Sequence, residues 1–493
     1  MSKLAWNDVN WTLVHNRISR QQRRIYRASV EGNKAKVHAI QRKIILSLDA
    51  RLLAIRHVTS ENKKYNNIHV DRAQIISSKK KIELAYQLKL DGKIYFSNEI
   101  YKLKSKNRKS KFLNISIIND LAKQMLVKLA LEPEWEAIIE PNSYGFGPGR
   151  SYHDAVANLF LTLRKKSKYV LNCDIQKCLD KINYDKLLKK ISTFDLMENQ
   201  IKAWLKANIV LTYKRRPDEV IQVIEKVSLT NILSPLLTNI ALHGLEEHIK
   251  NWYMKTGYPT TKRNYSERKV DRIDFIRYAE NLIIMSNTLL NLIEFEKQVE
   301  IWFNNDIGLE LVNAKINIVH STEGFEFLGF WIISIKQSSS YYKTRIFPSR
   351  RSKAQIIKCT REIIQANKSA SSFSLISLLN HRILSWASYF CYFKESQHFS
   401  KIDYIIFNQV RAWVFRRRSK GLKSRTALRL KYFPKGKSYH FRGKNYNNNW
   451  ILVGRSLTKT GKLRENFLLK MSWISSIPPV KNKKIASIYD KNY

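Results

Sequence analysis

The sequence predicts an α+β fold, and three features carry that expectation. Apolar residues recur at three and four positions over long stretches, the spacing of a helix with one buried face. The run "KYVLNCDI" reads as a short buried strand with an acid, Asp174, at its end. In "DFIRYAENLIIM", Asp274 to Met285, apolar runs flank a tight Tyr278-Ala279-Glu280-Asn281, as two strands flank a turn.

Taken in order, the region from Trp11 to about Arg56, including "VHAIQRKIILSLDARLLAI", predicts two amphipathic helices with basic outer faces. Charged and polar residues continue to about Ser78. "INDLAKQMLVKLALEPEWEAII", Ile118 to Ile139, predicts a helix that bends or ends near Pro133, which has no N–H to donate. A Gly/Pro loop, Tyr144 to Arg150, opens into another helix, and the Asp174 strand comes next. A helix-rich interval leads to the hairpin, then to the helix "LLNLIEFEKQVEIWFNND" and the strand pair "GFEFLGFWIISI". Ser-rich segments at Ser338 to Ser340 and Ser369 to Ser374 bracket a basic helix and mark a boundary. In the last part, "LLNHRILSWASYF" and "YIIFNQVRAWVFRRRSK" predict helices with Trp386 and Trp413 in the core.

Composition narrows the partners. The 493 residues are enough for two or three domains, and 88 Lys+Arg against 40 Asp+Glu give a formal charge of +48. Such an excess favours a polyanion, with RNA or DNA first and an anionic membrane second. No apolar run approaches the ~18 residues of a spanning helix. Cys173, Cys178, Cys359 and Cys391 have neither CxxC nor zinc-finger spacing, which fits a reducing compartment. The N-terminus lacks a secretory apolar core. Abundant Lys, Ile and Asn point to an AT-rich genome such as an organelle's.

Asp174 and Glu280 each end a predicted strand. Carboxylates so placed can hold two metal ions ~4 Å apart, which clamp the attacking and leaving oxygens of a phosphate. On these residues alone a second reading stays open, with Asp174 capping the next helix and Glu280 a solvated turn residue.

Longer motifs add a resemblance. "DIQKCLDKINYDKLL", "SPLLTNIALHGLEEHI", "GLELVNAKINIVHSTEGFEFLGFWI" and "LLNHRILSWASYF" resemble, in this order, segments of group II intron maturases, reverse transcriptase-like proteins encoded within introns. "LVHNRISRQQRRIYRASVEGNKAKVHAI" is similar to the family's N-terminal RNA-binding extension, and "LVKLALEPEWEA" and "YGFGPGRSYHDAV" to its fingers and early palm. The resemblance implies a right-hand polymerase fold of fingers, palm and thumb. It divides the chain into a helical RNA-binding extension (1–80), reverse transcriptase-like fingers and palm (81–345), and an α-helical thumb and maturase (X) domain (346–493). It makes Asp174, Glu280 and Asn281 the counterparts of the polymerase triad, with Asp174 and Glu280 as the Mg2+ ligands.

The chain departs from the family where nucleotides are handled. The family's Tyr-Ala-Asp-Asp reads Tyr278-Ala279-Glu280-Asn281, so one acid is longer and the other has lost its charge. Catalytic groups need placement within about 0.5 Å. Leu229 stands where the family has a glutamine, Lys111 where it has an arginine, and Cys178-Leu179 where it has Phe-Phe. Lys315 matches the family's later palm lysine. Drift at Lys111, Leu179 and Leu229, alongside the retained Lys315, leaves a remnant of a nucleotide pocket, with a weakened or lost Mg2+ site.

The basic C-terminal region shows no such drift. Tyr404 to Arg464 contains no Asp or Glu and 17 Lys/Arg. Arg411, Arg416, Arg417, Arg418, Lys423, Arg425, Arg429 and Lys431 are interleaved with Trp413, Phe415, Tyr432 and Phe433. Guanidinium groups pair with phosphates and aromatics stack on unpaired bases, so these residues are the expected RNA contacts.

The expected function is to bind group II intron RNA, the host intron first, and to promote its splicing by stabilising the folded ribozyme. Mg2+ is expected with that RNA, which performs the transesterifications. The alternative is an active RNA-directed DNA polymerase of a mobile group II intron. No membrane partner is expected, nor DNA, since the chain ends about where the family's nuclease would begin; a homodimer stays open. A plastid is the expected compartment, with a mitochondrion or bacterial cytoplasm as alternatives.

Overall fold

A computed structural model describes residues 5–60, 77–94, 115–145, 147, 150–164, 166–175, 178–206, 208–216, 219–226, 232–256, 273–309, 315–337, 342–393, 396–417, 424–447, 450–457, 461, 463–476 and 487–489. The chain divides into two compact units, one of residues 1–155, 169–318 and 482–493, the other of 156–168 and 319–481.

The first unit opens with three helices where the sequence predicts two: α1 (Trp11–Val30), α2 (Lys34–Leu46) and α3 (Leu48–Ser60). Capping chemistry makes the breaks. Gly32 takes a φ of 71° after α1, and the Asn33 side chain accepts the Lys36 N–H at 3.0 Å to start α2. Ser47 does the same for α3 through the Ala50 N–H at 3.2 Å. Then come α4 (Ser78–Gln87) and α5 (Ile115–Ile138). All of α1, α2 and α3 pack on α5, so the N-terminal helices and α5 share one core. That is why the compact units do not divide near residue 80.

Helix α5 continues through Pro133 instead of ending there. Proline cannot donate to the carbonyl four residues back, that of Leu129. Here the buried Gln22 of α1 donates to it instead, Nε2 to O at 2.9 Å. Gln41 of α2, fully buried, donates to the Ala130 carbonyl at 3.3 Å and to Glu134 Oε2 at 2.6 Å. The proline is thus tolerated because neighbouring helices supply donors. Gln22→Leu should destabilise the protein by about 1–3 kcal/mol in denaturant unfolding, the range for a buried acceptor left unpaired. Adding Pro133→Ala restores the internal N–H and should recover most of that loss; no recovery would assign Gln22 a packing role alone.

The palm-like part comes next: β1 (Ser143–Tyr144), α6 (Tyr152–Leu163, which from Val156 onward belongs to the second unit), β2 (Tyr169–Asp174), α7 (Cys178–Lys181), α8 (Tyr184–Ile191) and α9 (Asp195–Lys206). An antiparallel pair, β3 (Asn208–Arg216) and β4 (Glu219–Lys226), precedes α10 (Ser234–Ala241) and α11 (Leu245–Thr256). After these are β5 (Asp274–Tyr278), β6 (Asn281–Ser286), α12 (Leu289–Trp302) and β7 (Lys315–His320). The five-stranded sheet has the order β1-β5-β6-β2-β7. Leu282, Ile283, Ile284 and Met285 of β6 are all fully buried, so both faces of that strand are covered. This accounts for its unbroken apolar run.

In the second unit β8 (Phe325–Phe327), β9 (Phe330–Lys336) and β10 (Tyr342–Pro348) form an antiparallel sheet. Helices α13 (Arg350–Ala366), α14 (Ser372–Phe390), α15 (Ser396–Phe415) and α16 (Arg425–Tyr432) come next. α13 packs on α14 and α15, and Ile356, Ile364, Leu379 and Val410 of these helices are buried. Trp413 is buried in the core, whereas Trp386 is half-buried. Two strand pairs were not legible in a region expected to be helical: β11 (Ser438–Phe441) with β12 (Lys444–Asn447), and β13 (Val453–Leu457) with β14 (Leu463–Phe467). They are four or five residues long and mostly exposed, so no apolar alternation marks them. Among the described residues no helix is long and apolar enough to cross a membrane, and all four cysteines are free thiols.

Candidate functional site

The sheet register brings the predicted triad together. Strand β2 ends at Asp174, whose direct partner on β6 is Asn281. Asn281 in turn faces Tyr278 across the β5–β6 hairpin. Directly opposed residues share one face with Cα atoms about 4.5–5.5 Å apart. Asp174, Asn281 and Tyr278 therefore form a half-exposed row, and Glu280 sits beside it in the two-residue turn. The Ile175 N–H donates to the Glu280 carbonyl at 3.2 Å, which ties the turn to the end of β2. Ala279 takes a φ of 51° in that turn, as two-residue hairpin loops require at their first position.

Chemically, this end of the sheet offers two carboxylates and one neutral amide. Mg2+ demands near-octahedral oxygen ligands, and a two-metal centre needs several anionic ones. No group of three His, Cys, Asp or Glu that could hold a metal ion occurs among the described residues. With Asn281 neutral, the row carries one carboxylate fewer than a Tyr-Ala-Asp-Asp turn would supply.

Behind the turn lies a buried charge network that sequence reasoning missed. Arg277 of β5, 1% exposed, donates to Asn239 Oδ1 on α10 at 3.1 Å and to the Ala279 carbonyl at 3.5 Å. Its guanidinium lies 3.8 Å from Glu140 Oε2, and His243 Nδ1 lies 2.9 Å from the same oxygen. Burial pushes the Glu140 carboxyl up, but His243, Arg277 and the Gly244 N–H outweigh it and hold the group down at about 2. Burial likewise lowers Arg277, to about 10. Asn239 donates to the Gly145 carbonyl at 2.8 Å, and the Tyr144 carbonyl accepts the Ala279 N–H at 3.1 Å. Gly145, with a φ of 98°, lets this loop approach so closely that a Cβ would meet the Ala279 nitrogen at 3.2 Å. Arg150 closes the loop by donating to Glu136 Oε1 at 3.0 Å and to the Glu140 and Ser143 carbonyls, each at 2.8 Å. The available signal was one arginine following the apolar Phe275-Ile276 in the strand "DFIRY".

Of the nucleotide-pocket residues, Leu179 is buried in the core of the first unit. Lys111 and Leu229 lie outside the described residues, and Lys315 opens β7 with its side chain also outside them.

In the basic region, Arg411, Arg416, Arg425 and Lys431 are exposed on and around the packed helices α15 and α16. Arg418 and Lys423 lie outside the described residues. Arg417 differs from the expectation of an RNA contact. It lies 4.1 Å over the Trp413 ring and donates to the carbonyls of Ala370 at 2.6 Å and Ser369 at 3.2 Å. Those carbonyls lie in the α13–α14 connection, so the cation is committed to holding the fold. Arg429 is half-buried, 4.4 Å over the Trp450 ring. Trp413 and Phe433 are buried at 5% and 2% exposure, which removes them from base stacking at the surface.

Comparison with known families finds three matches along the chain. They are the N-terminal domain of reverse transcriptase over residues 6–88, reverse transcriptase (RNA-dependent DNA polymerase) over 103–332, and the group II intron maturase-specific domain over 353–433. The chain is 27% identical over 318 residues to Maturase-like protein 1 of Euglena gracilis, a match spanning 63% of this chain and 61% of that one. Maturase-like protein 1 of Euglena longa is 25% identical over 393 residues, 78% of each chain. The group II intron-encoded protein LtrA of Lactococcus lactis subsp. cremoris is 25% identical over 312 residues, 51% of this chain and 50% of that one.

Proposed function

We propose, from the premise that the chain belongs to the group II intron maturase and reverse transcriptase-like family, that it binds a group II intron RNA and promotes its splicing without polymerising DNA. The observation that carries the second half is the register of Asp174 against Asn281, which leaves a neutral amide where the family has an acid. A displacement of ~1 Å at a catalytic centre can cost about a hundredfold in rate, and Asn281 gives this row one charge fewer than the family's acid would. The first half is supported by the 61 residues from Tyr404 to Arg464, which carry 17 Lys/Arg and no acid.

In this reading the RNA supplies the reacting groups and its own Mg2+. The protein neutralises phosphate repulsion and holds one folded arrangement of the RNA. The host intron is the first target, and a plastid is the proposed compartment, favoured by the Lys, Ile and Asn bias.

Such binding should fall steeply with salt, because each neutralised phosphate releases counterions. Replacing Arg411, Arg416 and Arg425 with alanine should reduce the slope of log affinity against log salt by about three, one for each arginine–phosphate pair removed. Filter binding of the intron RNA across a salt series measures this. An unchanged slope would remove these residues from the interface.

A further inference from the structure

We propose that the exposed face of α12 is a dimerisation seam, which takes the same helix of a second copy of this chain in antiparallel alignment. The seam lies in the first unit, on a face other than the basic one assigned to RNA.

Helix α12 (Leu289–Trp302) buries one side and leaves the other bare. Leu292, Phe295, Val299 and Trp302 are buried, and the helix packs on α11, β2 and β6. Phe295 meets the Trp252 and Tyr253 rings of α11 at 5.7 and 5.6 Å. On the other side Leu290 is 72% exposed, Ile301 44%, Leu289 43% and Ile293 40%. Single exposed apolar residues are ordinary, but four on one short helix make a patch of the kind that marks an interaction surface. The helix also reverses the charge balance of the chain, with Glu294, Glu296 and Glu300 against Lys297. A phosphate backbone is repelled by such a face, so the patch suits a protein partner.

The spacing selects which protein. Residues 290, 294, 297 and 301 are separated by four, three and four, the a/d spacing of a helix that pairs with another helix. Parallel pairing of two copies would set Glu294 against Glu294 and Lys297 against Lys297. Antiparallel pairing about a two-fold axis between residues 295 and 296 removes both clashes. Leu290 then meets Ile301 of the second copy, and Glu294 meets its Lys297. Each contact occurs twice, as a two-fold interface requires. Within one helix Glu294 and Lys297 already form an ion pair at 2.9 Å, so the pairs of both copies join in one alternating network. Leu290 and Ile301 close that network at both ends.

One helix pair is smaller than a standard interface of ~1,600 Å², and two chains of +48 repel each other. The dimer is therefore weak, and it should strengthen as salt screens the long-range repulsion, the opposite of RNA binding. Sedimentation velocity on the full chain in ~0.5 M salt, up to ~100 µM protein, should show a reversible monomer–dimer equilibrium. Leu290→Ser with Ile301→Ser should abolish the dimer and leave the thermal melt unchanged, since both side chains are exposed. Lys297→Glu alone sets carboxylates against carboxylates and should weaken the dimer about tenfold or more. Adding Glu294→Lys restores the alternation with the signs exchanged and should return native dimerisation, which decides the matter if the double-serine variant does not fold. A native protein that stays monomeric throughout the series overturns the seam. A dimer that the serine and Lys297 variants leave intact also overturns it, and places self-association on another surface.

Discussion

Arg277→Met should destabilise the protein by about 3–5 kcal/mol, the usual result of removing one partner from a buried charge pair. The side chain is 1% exposed and links β5, the Ala279 turn, α10 and Glu140, so its loss takes a charged partner from the largely buried Glu140 carboxylate and leaves it to His243 and the Gly244 N–H. Methionine keeps much of the volume, which separates the electrostatic loss from a cavity. Adding Glu140→Gln should recover part of the loss by removing the stranded carboxylate. Acid unfolding gives the second readout. Glu140 is held at about 2 against an ordinary value of 4.5, so its contribution is present above pH 4.5 and is lost as pH falls toward 2. In Arg277→Met that acid-linked step should shrink. A loss below about 1 kcal/mol, the scale of an exposed ion pair, would mean that the network does not hold the turn.

The largest functional effect is expected in splicing, and it should divide by region. Asp174→Ala should leave intron splicing at limiting Mg2+ within about twofold of native, since in the proposed function the RNA does the chemistry. The triple variant Arg411→Ala, Arg416→Ala, Arg425→Ala should lose it. A charge-assisted hydrogen bond contributes about 1.5 kcal/mol or more, so three together are worth ~4.5 kcal/mol, about a thousandfold or more in affinity. All three side chains are exposed, so the loss should not come from misfolding, and a thermal melt checks this. Normal splicing by the triple variant would remove the basic helices from the function.

The parts legible in the sequence were those whose signal is local. A run of apolar residues ending in an acid placed the end of β2 at Asp174, and symmetry about Ala279-Glu280 located the hairpin. What stayed hidden depends on partners far along the chain. Pro133 reads as a helix break until Gln22, on another helix, is seen donating to the Leu129 carbonyl. Arg277 reads as an odd charge in a strand until Glu140 and Asn239 close around it. Arg417 looks like its neighbour Arg416 in sequence, yet Arg416 is exposed and Arg417 is held by two backbone carbonyls.

In the proposed function the chain keeps the polymerase frame while the end of its sheet no longer supports nucleotide addition. Primer extension on an RNA template tests this most directly, with purified native protein, Asp174→Ala, and the double variant Glu280→Asp, Asn281→Asp. The expected result is no extension by native protein under Mg2+ or Mn2+, with the protein folded and bound to RNA. Activity gained by the double variant would locate the loss at the turn beside Asp174. Extension by the native protein that disappears in Asp174→Ala would contradict the proposed function, because Asp174 and Glu280 would then suffice to organise the metal ions.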